Sequence, residues 1–242
     1  MTTSLVHHHV LERLSRLNAA GKLAHAYLFT GPRGIGKAET ALALAQVVNC
    51  AEGGTDVLSC GCASCRKIAG GNHPDIYIVE KLEDKSEILI DQLRALMSRL
   101  ELRAAEAKVK VAIIKDAELL RLEAANAFLK TLEEPRPGTL LILTTADPRN
   151  VLGTIASRCH EARFFPLSHD ALAEHLKNEY DVSLVDAGVL AFFAEGSPGR
   201  AGELGADFLE RKNLALNEFI FGRFDEALIK KYGDKEAARE LL

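Results

Sequence analysis

Between Gly31 and Lys37 the chain reads Gly31-Pro32-Arg33-Gly34-Ile35-Gly36-Lys37, a G-x-x-x-x-G-K core. Residues of these types at this spacing hold a phosphate chain. Glycines let successive backbone N–H groups converge, the start of a following helix adds positive potential, and the lysine neutralises the terminal phosphates. The flanks suit that chemistry, with the apolar run Ala26-Tyr27-Leu28-Phe29-Thr30 before the loop and helical composition from Ala38 to Val48 after it. Gly31, Gly34, Gly36 and Lys37 are the candidate nucleotide contacts.

Two groups that hydrolysis needs are missing. The residue after the lysine supplies a hydroxyl to Mg²⁺ in such ATPases, and here it is Ala38. Thr40, two positions on, points to a different side of the helix and is a poor substitute. A later strand should end in two acids, one on the metal and the next positioning the attacking water. In Ile113-Ile114-Lys115-Asp116-Ala117-Glu118 the first acid is present as Asp116, but its successor is Ala117. Glu118 comes one residue late and is expected to face elsewhere. Hydrolysis is therefore expected to be absent, and ATP binding weak or absent. The rival reading makes Glu118 the base through an unusual turn.

A second chemistry lies in the cysteines. Cys50, Cys60, Cys62 and Cys65 are clustered, while Cys159 stands far away. Four thiolates suffice for a closed tetrahedral zinc site, which is structural because no coordination position stays open. Cys62-Ala63-Ser64-Cys65 has ordinary knuckle spacing, and Cys60-Gly61-Cys62 is tighter, with Gly61 easing the turn. Reduced cysteines without metal and a redox dithiol are the alternatives. His7, His8 and His9 form a short run, read as the polar start of a first helix rather than a metal site or a tag remnant.

These groups need strands and helices to position them. Apolar segments Ala26–Thr30, Asp75–Glu80, Val109–Lys115 and Thr139–Thr145 read as strands, with Arg163-Phe164-Phe165 as a candidate fifth. Helical patterns fall between them, at Ile88–Leu102 and Leu122–Glu133, the latter stopped by Pro135. Near-continuous apolar strands alternating with helices predict an α/β fold with a parallel sheet covered on both faces. After Pro166 only helical patterns follow: Ala171–Glu179, Val185–Ala194 and Arg200 to about Phe221. Ser168 and Ser183 are the expected N-caps, and Gly196-Ser197-Pro198-Gly199 a break. The division is thus 1–166 for a core carrying the cysteine module (50–65), and 167–242 for a small helical domain with a charged tail.

The chain has 242 residues, 48% of them apolar and 26% charged, which is ample for a core. A formal charge of −4 gives no bulk drive toward nucleic acid. No apolar run has membrane-spanning length and no signal peptide is recognised, so no membrane partner and a cytoplasmic location are expected.

The order and content of several segments resemble one family. They are His25-Ala26-Tyr27-Leu28-Phe29, the cysteine module after the phosphate-loop helix, His73-Pro74-Asp75, Ile90-Asp91-Gln92-Leu93-Arg94, Asn126 to Pro135, and Ser157-Arg158-Cys159. They resemble the bacterial DNA polymerase III clamp loader, an AAA+ family, and within it the delta-prime kind rather than the gamma or tau ATPases. The resemblance implies an AAA+ core followed by a helical lid. It also implies a ring of gamma/tau and delta subunits as partners, with the sliding clamp and primer-template DNA reached through the complex.

Within that resemblance Arg158 is the arginine offered in trans to ATP on a neighbouring subunit. Thr145, with Thr144, takes the sensor position beside the terminal phosphate, or simply closes its strand. Cys159 is read as a buried small apolar residue. The family spaces its last three cysteines two residues apart, and this chain departs from that. The family's C-terminal collar domain is expected to be absent. The implied function is a non-hydrolysing, stator-like subunit. The competing readings are an active gamma/tau-type ATPase and a zinc-dependent DNA-binding module. The acidic helix end Leu132-Glu133-Glu134-Pro135 fits either a subunit interface or an ordinary helix stop.

Overall fold

The computed structural model of the chain describes residues 7–53, 60–205, 208, 209 and 211. The middle of the cysteine module (54–59), the expected helix beyond 211 and the charged tail lie outside them.

Five strands form one parallel sheet: β1 (Ala26–Thr30), β2 (Ile76–Val79), β3 (Lys110–Ile114), β4 (Thr139–Thr145) and β5 (His160–Arg163), in the order β2-β3-β4-β1-β5. Every residue of β1, β3 and β4 is buried. Their apolar runs are continuous because side chains alternate between two covered faces. Tyr27, Phe29, Val111, Ile113, Leu140 and Ile142 pack to one side, against α1 (His8–Ala19) and α2 (Lys37–Asn49). Leu28, Ala112, Ile114, Leu141 and Leu143 pack to the other. There they meet α4 (Ile90–Glu101), through Leu93, Leu96 and Leu100, and α5 (Leu122–Glu133), through Phe128 and Leu132. The cysteine module adds α3 (Ala63–Ala69) after α2, and a one-turn α6 (Gly153–Ala156) precedes β5.

The fifth strand lies upstream of the expected Arg163-Phe164-Phe165. As an edge strand it buries only Ala162, so it leaves no apolar run to read. Phe164 instead packs beneath the phosphate loop, its ring 5.0 Å from that of Phe29.

Beyond the sheet, α7 (His169–Tyr180) and α8 (Leu184–Ala194) pair through Leu172, Leu176, Leu190 and Ala191. Both begin at the expected serines: Ser168 Oγ accepts from the Ala171 N–H and Ser183 Oγ from the Asp186 N–H. Left-handed Glu195 and Gly196 end α8, and the chain is helical again over 198–205. No described helix is long and apolar enough to cross a membrane.

Candidate functional site

The glycine-rich loop leaves the carboxyl end of β1, where open parallel sheets bind ligands. Its shape depends on glycine. Gly31 and Gly34 have φ of +147° and +71°, and a Cβ at Gly31 would stand 2.4 Å from the Phe164 carbonyl oxygen. His7 braces the loop from outside. Its ring Nε2 bonds the Ile35 carbonyl and its backbone N–H donates to Thr40 Oγ1 at 3.1 Å. Burial lowers the His7 pKa and favours the neutral ring. The histidine run thus starts a helix, as read, and among the described residues no metal-holding cluster includes it.

Lys37 is buried and folded onto its own loop. Its Nζ donates to the carbonyls of Gly31 and Pro32, both at 2.7 Å. Burial lowers its pKa, while Asp116 and then Glu118 oppose that shift. Ala38 follows with a methyl. The Thr40 hydroxyl donates to the Gly36 carbonyl at 2.7 Å, so it is spent inside the helix.

The ends of β3 and β4 lie beside this loop. Asp116 has a left-handed backbone (φ 51°), and its N–H donates to Thr144 Oγ1 at 3.2 Å. That kink starts a single 3₁₀ turn over Ala117–Leu119, which buries the Ala117 methyl and swings Glu118 back. Glu118 Oε1 accepts from the Ala146 N–H at 3.3 Å, and its Oε2 is buried with no partner among the described residues. The expectation that Glu118 faces elsewhere is thus corrected: Asp116, tolerant of positive φ, redirects the chain. The Thr145 hydroxyl is engaged by its own turn, donating to the Asp147 carbonyl at 3.0 Å.

The segment after α8 closes over the loop. Ser197 Oγ donates to the Arg33 carbonyl and the Gly199 N–H to the Gly34 carbonyl, each at 2.8 Å. Sequence reading missed this contact; the Gly196–Gly199 break was its only signal. Arg200 pairs with Glu195 at 2.6 Å.

The four clustered cysteines do come together, with sulfurs within 4.8 Å of one another and Cys50 Sγ 3.6 Å from Cys60 Sγ. Tetrahedral zinc with Zn–S bonds of ~2.3 Å needs sulfurs roughly 3.8 Å apart, so the set fits that ion. Cys50 ends α2 and Cys65 lies within α3, both buried, which joins the module to the core. The Cys65 N–H, donating to Cys62 Sγ, draws that thiol down to about 6. Gln46 Nε2 holds the Cys65 carbonyl at 3.1 Å. Cys159 packs against the core, and burial pushes its thiol up to about 12, the behaviour of a small apolar residue.

Arg158 follows α6 and lies against the end of α5, its side chain one-third exposed. Its Nε donates to Glu133 Oε1 at 2.7 Å and its Nη1 to the Thr154 carbonyl at 2.8 Å.

Residues 6–168 match the profile of the family described as DNA polymerase III, delta subunit. The chain is 40% identical over 170 residues to DNA polymerase III subunit delta' of Bacillus subtilis, covering 70% of this chain and 50% of that protein. Against subunit tau of the same organism it is 31% identical, covering 79% of this chain and 34% of the relative. The chain thus spans half or less of these curated relatives. Among solved structures, a gamma subunit-related protein of Thermotoga maritima superposes with a TM-score of 0.52 at 24% identity, covering 96% of this chain and 70% of that one. RuvB of Thermotoga maritima gives 0.54 at 15% identity, covering 82% and 60%. These likenesses are of fold.

Proposed function

The chain belongs to the DNA polymerase III delta-subunit family, and we propose that it is a non-hydrolysing, stator-like subunit of the clamp loader. In this reading residues 1–166 are an AAA+ core with a structural zinc module and 167–242 include its lid. The partners are gamma/tau and delta subunits in the cytoplasm, with the sliding clamp and primed DNA met through the complex.

One observation carries the reading: Lys37 Nζ is spent on the carbonyls of Gly31 and Pro32. Ala38 and Ala117 stand where a metal ligand and a water-positioning acid would be needed, so neither binding nor activation is well served. Cys50, Cys60, Cys62 and Cys65 would hold zinc and stiffen the module. Arg158 would act on ATP bound by a neighbour. A guanidinium supplied in trans offsets charge growing on the phosphates and is worth about 10³–10⁵ in rate.

Reconstituted partner ATPase subunits with clamp and primed DNA test this. Wild-type protein should stimulate ATP turnover, and Arg158→Ala should assemble without stimulating it. Unchanged turnover on adding Arg158→Ala in place of wild type overturns the finger role. Glu118, turned toward the site, favours the competing active-ATPase reading. Steady-state turnover by the isolated protein, abolished by Lys37→Ala, would establish that reading instead.

A further inference from the structure

The acidic helix end Leu132-Glu133-Glu134-Pro135 has a use in the fold that the proposed function leaves unassigned. Glu133 is the last residue of α5. The end of that helix is rigidly held: Leu132 is fully buried, and its carbonyl accepts from His25 Nε2 at 3.0 Å. From this anchor the Glu133 carboxylate meets the Arg158 guanidinium with a single oxygen. Oε1 accepts from Nε at 2.7 Å and also from Nη2. The far side of the guanidinium is fixed by Nη1, which donates to the Thr154 carbonyl at 2.8 Å. Both side chains stay partly exposed, Arg158 at 34% and Glu133 at 47%.

A free arginine side chain has many rotamers, and placing it on a phosphate costs the entropy of all but one. Here two helices already hold it. The guanidinium has five N–H groups, and these contacts leave part of its Nη2 edge unengaged. An exposed pair of this kind adds little stability by itself, so its value lies in orientation.

We propose that Glu133 is the positioning residue for Arg158. It holds the guanidinium in one rotamer against α5 and α6, with the free Nη2 edge turned outward for the phosphates of a neighbour's ATP. This rests on the proposed role of Arg158, and the experiment separates the two.

The assay uses the assembled complex of this protein with its gamma/tau and delta partners, with clamp and primed DNA, comparing wild type, Glu133→Ala, Glu133→Gln, Arg158→Ala and the double variant. Glu133→Ala is expected to lower kcat for ATP about tenfold, as a misplaced transition-state contact does, with KM unchanged. Glu133→Gln keeps an acceptor for Nε and should recover most of that loss. The double variant should be no slower than Arg158→Ala alone, since Glu133 acts only through the arginine. Thermal melting of Glu133→Ala within a few degrees of wild type excludes misfolding as the cause. If Arg158→Ala slows turnover but Glu133→Ala does not, or speeds it, the positioning role is wrong and the finger role stands. Losses that add in the double variant also overturn it. If Arg158→Ala itself has no effect, the finger reading fails, and this inference with it.

Discussion

The Gly199 N–H donates to the Gly34 carbonyl at 2.8 Å, joining the phosphate-type loop and the following helical unit main chain to main chain. The approach is close because neither residue has a side chain. A Cβ on Gly199 would stand 2.7 Å from the Gly34 Cα, and one on Gly34 would stand 2.7 Å from Ser197 Oγ. Backbone cannot swing aside as a flexible side chain can. The loop is therefore also the seat of the helical unit, whatever it does for a nucleotide.

Gly199→Ala is expected to cost about 1–3 kcal/mol, the range for overpacking a close contact, and to speed proteolysis near residues 166–168. Gly153→Ala is the control, since its Cβ would meet nothing within 4 Å. Chemical denaturation and limited proteolysis check both. Equal behaviour of the two variants would mean that the contact does not hold the units together.

Nucleotide should stabilise the isolated protein hardly at all. To reach a phosphate, Lys37 must give up the Gly31 and Pro32 carbonyls, and no hydroxyl follows it to hold a metal. About 1 mM Mg-ATP should add less than ~0.4 kcal/mol, the amount expected when a ligand only equals its Kd. A larger melting shift, removed by Lys37→Ala, would count against a degraded site.

Legibility in the sequence followed burial. The strands β1 and β4 and the helix α5 could be bounded from the chain alone, because covered strands read as apolar runs and Pro135 punctuates α5. The edge strand β5, with one buried residue, could not. The glycine loop and four cysteines were legible because their chemistry needs particular residues close in sequence. Contacts between distant segments were not. Nothing local says that Lys37 turns onto its own loop, that Asp116 adopts a left-handed backbone and returns Glu118, or that Glu133 meets Arg158 across 25 residues.

Asp75 should act as a latch for the loop before β3. It is buried at 2% exposure, and its carboxylate accepts from the N–H groups of Ala105, Glu106 and Ala107 at 2.8–2.9 Å. Burial alone would raise its pKa, but those donors outweigh burial and hold it below the usual 3.8. A depressed folded pKa stabilises above the unfolded value, and the contribution disappears as pH falls through the folded one. Asp75→Asn should cost about 2–3 kcal/mol at neutral pH, the scale of bonds to a charged acceptor. It should also remove part of the loss of stability that wild type suffers below about pH 4. Denaturation midpoints for both proteins from pH 7 to acid test it. A constant gap between them over the whole range would show that charge on Asp75 is irrelevant.

Zinc removal should loosen a part of the core, and the reason lies in where the sulfurs are carried. Cys50 ends α2, the helix that starts at the phosphate loop, and Cys65 sits on α3, whose Ile68 is buried against the main core. Gln46 of α2 reaches the Cys65 carbonyl, so the two helices share one support beyond the sulfurs. Without metal, four thiols crowded within 4.8 Å are held by weak hydrogen bonds to and from sulfur. One zinc per chain is expected by elemental analysis. Chelation should lower stability by about 3–4 kcal/mol, as loss of a ligand present at ~100–1,000 times its Kd would, and Cys65→Ser should do the same without chelator. Hydrogen exchange should then quicken in α3 and the end of α2, while β3 and β4 stay protected. Cys159→Ser separates sulfur chemistry in general from this cluster, because Cys159 stands apart from it and should leave zinc content unchanged. A chain that carries no zinc yet melts at the same point with and without chelator would reduce the cluster to four packed cysteines.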